Sequence, residues 1–274
     1  MLPRVKAMGR RVVPRPLYRR YRQHKVASLI TSYHPHDVTH DYGGCSLRIH
    51  LADPLAAGWY DHDWDEIAVF RFLRERGVLV PGATVLDLGA HQGVVALMLA
   101  DKVGEAGRVI AVEAEPHNAR VAERNRELNE AENLIVVHAA GAASEGVISF
   151  SEGLNGRIGG EAAEGHVDVP AATVDGLAAE HGTPDLVFVD VEGYEGHVLE
   201  GAGNTLANGS TSFMVEVHEY LADYGGHPQE IIDCFNGFDL YVGDDESDEF
   251  RPLGDALPAG RFYLVAIPAT RRDS

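Results

Sequence analysis

Three observations predict an α/β fold with a mostly parallel sheet closed by an antiparallel hairpin. From Val85 onward, strand-like and helix-like segments alternate, the pattern of parallel strands joined by right-handed helical crossovers. Asp185-Leu186-Val187-Phe188-Val189-Asp190 is a nearly continuous apolar run, as expected of a strand buried on both faces. In Val85-Leu86-Asp87-Leu88-Gly89-Ala90-His91-Gln92-Gly93-Val94-Val95-Ala96 a strand passes into a helix through glycines. Their missing Cβ allows a sharp turn and a close approach of backbone to ligand.

Taken in order, Ser46–His50 alternates like a short half-buried strand, and Asp53-Pro54 marks a loop. Asp63 to Arg76 reads as a helix with Ile67, Phe70 and Leu73 on one face. The first core strand then leads into a helix over Gln92 to Lys102. Arg108–Val112 is the second strand, and Pro116 opens a helix ending near Leu128. Leu134–Val137 is the third strand. Val147–Phe150 and His166–Val169 read as short strands around an insertion holding Gly153, Gly156, Gly159 and Gly160. Thr173–His181 is a helix, Asp185–Asp190 the fourth strand and Glu195–Leu206 a further helix. Phe213–Val217 is the fifth strand and Pro228–Phe235 a helix. Leu240–Val242 with Phe262–Ala266 forms the closing hairpin, with the acidic stretch Asp244–Glu249 as its solvated loop.

The chain has 274 residues, 45% hydrophobic and 24% charged, an ordinary composition for a soluble globular protein with a substantial core. Cys45 and Cys234 lie far apart and match no metal or redox spacing. With no membrane-length apolar stretch and no signal-peptide core, a cytoplasmic setting is expected. The first 25 residues hold nine Lys or Arg and no acid, whereas the rest carries 14 basic and 42 acidic residues. The division expected is a basic arm with an accessory segment over 1–45, and one sheet domain over 46–274. The arm reads as a solvated extension, or as docking on anionic lipid or on the acidic body, while that acidic body argues against nucleic acid as partner.

The glycine pattern narrows the ligand. Asp87 feeds the turn, and Glu113 ends the next strand, twenty residues beyond Gly93, where an acid accepts hydrogen bonds from ribose hydroxyls. A dinucleotide fingerprint needs G-x-G-x-x-G, but His91 holds the second glycine position and Gly93 comes one place early for the third. That disfavours a pyrophosphate. S-adenosylmethionine fits better, since its sulfonium and amino group complement Asp87, Glu113, Asp190 and Glu192.

VLDLGAHQG at 85–93, VIAVEAEP at 109–116 and DLVFVDVEGYEGHVLEGA at 185–202 resemble the FkbM family of S-adenosylmethionine-dependent methyltransferases over roughly residues 60–267. The resemblance implies a Rossmann-like class I methyltransferase fold. It implies O-methyl transfer to a hydroxyl of a sugar, glycolipid or secondary metabolite. It also implies that Asp87, Gly89, His91, Gly93, Glu113 and Asp190 form the cofactor site. Asp190 and Glu192 would line the methyl-transfer region. Two residues depart from the family pattern: His91 stands where asparagine is usual, and Phe188 where a lysine is common.

His218, just past the fifth strand, and Asp190 and Glu192, past the fourth, are candidate general bases, with His218 preferred as a neutral imidazole. The alternatives are a carboxyl O-methyltransferase, which needs no base, a catalytically silent S-adenosylmethionine-binding protein, and a nucleotide-dependent oxidoreductase. Tyr33 to His40, with His62 and Asp63, is histidine-rich but lacks helical ligand spacing, so no metal site is expected. Trp64 and Tyr60 read as packing residues, or as cover for a sugar ring.

Overall fold

The computed structural model describes residues 31–151, 157–158, 166–244, 247–254 and 256–269. The basic arm and the insertion glycines Gly153, Gly156, Gly159 and Gly160 lie outside the described residues. The first sheet is a hairpin of β1 (His36–Tyr42) and β2 (Cys45–Leu51), so the accessory segment runs across position 45 without a break. The histidine-rich segment is largely β1. His40 there faces Asp61 and Asp63, each at 3.1 Å.

Helix α1 (Pro54–Tyr60) begins where the Asp53 carboxylate accepts from Leu55 and Ala56 N–H, a side-chain cap followed by Pro at the first helical position. Helix α2 (Ala68–Glu75) is shorter than the sequence predicts. Residues before it are drawn into the hairpin, because Trp64 N–H donates to Asp41 C=O and Trp64 C=O accepts from Gly43 N–H.

The alternating units follow: β3 (Thr84–Leu88), α3 (Val94–Val103), β4 (Arg108–Glu113), α4 (Pro116–Leu128) and β5 (Leu134–His138). Strands β6 (Ala140–Gly141), β7 (Gly146–Ser151), β8 (Arg157–Ile158) and β9 (His166–Ala172) make a separate small sheet, in the region expected to hold two short strands. Then come α5 (Val174–His181), β10 (Leu186–Val189), α6 (Glu195–Glu200) and α7 (Gly203–Asn208). The last two were expected as one helix. The chain breaks at Gly201, where a Cβ would come 2.2 Å from Ala142 C=O, so the turn is needed for close packing. Strand β11 (Ser212–Val217), a 3₁₀ turn (Glu219–Tyr224), α8 (Pro228–Asp233), β12 (Phe238–Asp244), β13 (Ser247–Pro252) and β14 (Phe262–Pro268) complete the chain.

The main sheet has the order β13-β12-β14-β11-β10-β3-β4-β5, with β11, β10, β3, β4 and β5 parallel and the other pairings antiparallel. The expected closing pair is therefore β12 with β14. The acidic stretch Asp244–Glu249 is not simply its loop: Asp244 ends β12 and Ser247 onward forms β13 on the sheet edge, while residues 245–246 lie outside the described residues. Side chains alternate across the parallel strands with period two. Val85, Val109 and Leu186 face the hairpin, α2 and α3, whereas Leu86, Val187 and Phe213 face α6 and α8. Helices thus cover both faces, as a buried parallel sheet requires.

Candidate active site

From β3 the chain moves outward through β4 to β5, and from β10 it moves the other way to β11, so the winding reverses between β3 and β10. Ligands of parallel sheets collect beyond the carboxyl ends of the strands at such a reversal. A cavity of about 460 Å³ lies there, bounded by Asp87, Gly89 and His91 on one side and Asp190, Val191 and Glu192 on the other. Gly89 has φ +96°, and a Cβ on it would stand 1.7 Å from Asp190 C=O. Only glycine fits where these two strand ends meet.

At the β3–β4 end the carboxylates are buried. Asp87 is 2% exposed, and its Oδ2 has no hydrogen-bond partner. Burial pushes its carboxyl up to about 7. Glu113 accepts from His91 N–H at 2.8 Å and from Glu115 N–H at 2.7 Å. Burial raises it to about 8, against those two hydrogen bonds and with help from the charges of Glu115 and Asp87. A carboxylate has more lone pairs than these bonds use, so Glu113 retains acceptor capacity for a hydroxyl. His91 adopts φ +49°, unusual for a residue with a Cβ, and its Nδ1 lies 2.8 Å from Tyr60 Oη. This holds the turn against α1, whose Trp59 ring lies 5.0 Å from the His91 ring. Gly93, expected to touch the cofactor, does not line the cavity. It caps α3 at φ +80°, and a Cβ there would meet Ala122 on α4 at 3.1 Å, so α3 and α4 pack closely at this glycine.

At the β10–β11 end the groups crowd together. Glu192 also has positive φ, +53°, so two of the three described non-glycine residues with positive φ border the cavity. Such strain concentrates at functional sites. His218 Nδ1 donates to Glu195 Oε1 at 2.7 Å and to Glu216 C=O at 3.1 Å. Its Nε2 lies 3.4 Å from Glu216, 3.7 Å from Asp190 and 3.9 Å from Glu192. Burial alone would lower the imidazole pKa. The Glu195 hydrogen bond and the charges of Glu195, Asp190 and Glu216 outweigh it and raise the value to about 9. His218, preferred in the sequence as a neutral base, stands behind Asp190 rather than on the cavity wall, with its pKa raised. Loss of water, then the charge of Glu216, holds Asp190 well above the usual carboxylate range.

The structure thus brings together Asp87, Gly89, His91, Glu113, Asp190 and Glu192 around one cavity. Phe188, Tyr60 and Trp64 also line it. Four residues escaped the sequence reading. Trp59 was hidden among its neighbours Tyr60 and Trp64, and Arg261, which donates to Glu216 at 2.8 Å, is the residue just before β14. Glu195 and Glu216 were legible in part. Glu195 lies in the D-x-E-G-x-E block, and Glu216 precedes His218 by two, which puts both side chains on one face of an extended chain.

The cavity suits S-adenosylmethionine. Asp87 has an unpartnered buried oxygen, Gly89 permits close approach, and no Lys or Arg occurs among the described lining residues to compete with a cation. A family model described as the methyltransferase FkbM domain matches residues 87–240, more than half the chain. The chain belongs to that FkbM methyltransferase family. The ribosomal protein L11 methyltransferase of Chloroflexus aurantiacus is 39% identical over 101 residues, covering 36% of this chain and 30% of that protein. The chain thus spans about a third of that curated relative. Among solved structures, methyltransferase FkbM from Methylobacillus flagellatus KT superposes with a TM-score of 0.45 at 14% identity, covering 67% of this chain and 43% of that one. An S-adenosylmethionine-dependent O-methyltransferase from Thermotoga maritima gives 0.45 at 15% identity, covering 87% and 79%. Among the described residues no helix is long and apolar enough to cross a membrane.

Proposed function

We propose that this protein transfers a methyl group to a hydroxyl of a sugar, glycolipid or secondary metabolite. When bound, S-adenosylmethionine supplies that methyl group on a sulfonium sulfur. Asp87 and Glu113 hold the cofactor, and Gly89 admits it. Asp190 and Glu192 face the remaining space as carboxylates able to take the hydroxyl proton, a role that falls to them because His218 is already protonated.

The carrying observation is the acidity of the cavity wall: Asp87, Glu113, Asp190 and Glu192 line it with no described Lys or Arg, and a cationic cofactor favours the ionised form of the buried acids. A neutral hydroxyl acceptor meets this wall without repulsion, whereas a carboxylate or phosphate acceptor does not. This favours hydroxyl over carboxyl transfer and disfavours nucleic acid. The Trp59 ring at the cavity adds an apolar face of the kind a sugar ring covers. The relative named for ribosomal protein L11 raises a protein acceptor as a second reading, supported by a match to only part of that relative.

Radiolabelled S-adenosylmethionine incubated with matched hydroxyl and carboxyl acceptors tests this. Label in an alkali-stable ether on hydroxylic sugars or glycolipids is the expected result. Label confined to base-labile esters, or to protein, overturns it.

A further inference from the structure

We propose that Asp53 is a positioning residue of the active site: through Gln92 it fastens α1 to the Gly89–Gly93 turn, so that two walls of the cavity are held as one body. The tie stands on its own geometry, and only its effect on the cofactor rests on the methyltransferase reading.

Gly58, Trp59 and Tyr60, at the end of α1, line the cavity on one side, and Gly89, Ala90 and His91 of the turn line it on another. Consecutive turn residues meet opposite ends of the helix. Gln92 Nε2–H donates to Asp53 Oδ2 at 2.6 Å, just ahead of α1, while His91 Nδ1 lies 2.8 Å from the Oη of Tyr60, the last residue of α1. The helix has seven residues, so Asp53 and Tyr60 stand about 10 Å apart along its axis. Contacts so far apart fix the direction of α1 against the turn as well as its distance.

A second, independent observation is the state of the Asp53 carboxylate. Capping a helix needs one oxygen, and Oδ1 fills that role by accepting from Leu55 and Ala56 N–H at 2.9 and 3.0 Å. Oδ2 serves other elements: besides Gln92, it has His117 Nε2 of α4 at 3.2 Å. Asp53 is 0% exposed. Burial by itself would raise its pKa, but hydrogen bonds from His117, Ala56 and Gln92 outweigh that and hold the carboxyl below its usual range. Asp87, also buried, keeps an unpartnered oxygen and is pushed up. One buried aspartate is therefore satisfied by the protein itself, and the other is left for a ligand.

The turn is gripped from behind as well. Asn125 Nδ2–H donates to Gln92 C=O at 2.8 Å, and Asn125 Oδ1 accepts from the N–H of His50 on β2 at 2.7 Å. The hairpin and α1 are thus joined to the turn that receives the cofactor. A turn held before the ligand arrives spares binding the cost of ordering it, so loosening the turn should weaken S-adenosylmethionine.

The test is hydrogen–deuterium exchange on the ligand-free full-length protein, reading each wall when the other is altered. Asp53→Asn keeps an oxygen for the cap but turns an amide N–H toward the Gln92 amide. Gln92→Met removes the donor and leaves Asp53 unaltered. Asp53→Asn is expected to speed exchange over residues 89–93 and Gln92→Met over residues 54–61, each roughly tenfold, the value of a hydrogen bond to a charged group. Calorimetry should show S-adenosylmethionine bound roughly tenfold more weakly by both variants. The pair Asp53→Asn/Gln92→Glu reverses the polarity of the contact and should recover most of both losses. Faster exchange confined to the altered wall, or no recovery in a folded double variant, overturns the proposal and leaves Asp53 as a helix cap. Thermal melts identify any variant that fails to fold, and Gln92→Met carries the decision if Asp53→Asn does. Coupled exchange in a protein that binds no S-adenosylmethionine sinks only the methyltransferase reading, and cofactor binding with uncoupled exchange sinks only the tie.

Discussion

The two ends of the cavity are built from the same chemical group and hold it in opposite ways. At the β3–β4 end, Asp87 and Glu113 are buried with backbone N–H partners or none, and their protons are retained to about 7 and about 8. At the β10–β11 end, four carboxylates surround a protonated imidazole, and Glu216 also takes an arginine. The first end has no Lys or Arg among its described lining residues, which suits it to a cationic ligand. The second carries its own positive charge, and is therefore suited to handling protons and neutral acceptors. Burial without compensation marks where a charged ligand binds; burial with compensation marks where charge is managed during reaction.

Gly89→Ala breaks the comparison outright, because the new Cβ would overlap the Asp190 carbonyl at the point where both ends meet. The expected loss is on the order of 3 kcal/mol in stability, with cofactor binding abolished, as read by thermal melting and calorimetry. Substitution at one end at a time sharpens it. Asp87→Asn should weaken S-adenosylmethionine about 10- to 100-fold, the value of a hydrogen bond to a charged group. Glu192→Gln should leave that affinity nearly intact and lower kcat by roughly 100-fold. Equal effects of the two variants on both quantities would mean that the ends are not distinct.

The pH dependence has the same sign at both ends, and His218 extends it to higher pH. Asp87 and Glu113 have folded pKa values above their unfolded ones, so between about pH 4 and pH 8 the native state binds more protons than the unfolded state. Stability of the ligand-free protein therefore falls as pH rises through that window. His218, raised to about 9, contributes stability below its unfolded value that is lost as pH rises through about 9. A cationic ligand favours the ionised acids, so its affinity should climb from pH 6 to pH 8 with release of protons. Calorimetry in buffers of differing ionisation enthalpy measures that release. The smallest effect is at His91: His91→Gly relieves a left-handed backbone and should add about 1 kcal/mol of stability, while loss of the Tyr60 contact weakens cofactor binding a few-fold.

Legibility in the sequence also differed between the ends. Asp87, Gly89 and Glu113 belong to one local strand–turn–helix–strand segment, so spacing alone predicts that they meet. The other end draws on β10, the turn after it, β11 and β14, and no sequence distance predicts that Arg261 reaches Glu216. His218 was visible as a strand-end histidine, yet its protonation depends on Glu195, 23 residues away and on a helix. The spacing of Gly93 fits a ligand turn as well as it fits the packing of α3 on α4. The hairpin ahead of the sheet was half visible. Its first strand hides in a histidine-rich run, and its attachment depends on Asp53, which receives Gln92 Nε2–H at 2.6 Å from the glycine turn.

Calorimetric titration of the purified protein with S-adenosylmethionine, S-adenosylhomocysteine and NAD, repeated on Glu113→Ala, tests the central claim most directly. Saturable binding of the first two, no binding of NAD and loss of both in the variant is the predicted result. Preference for NAD, or cofactor affinity untouched by removal of Glu113, would contradict the assignment of this cavity.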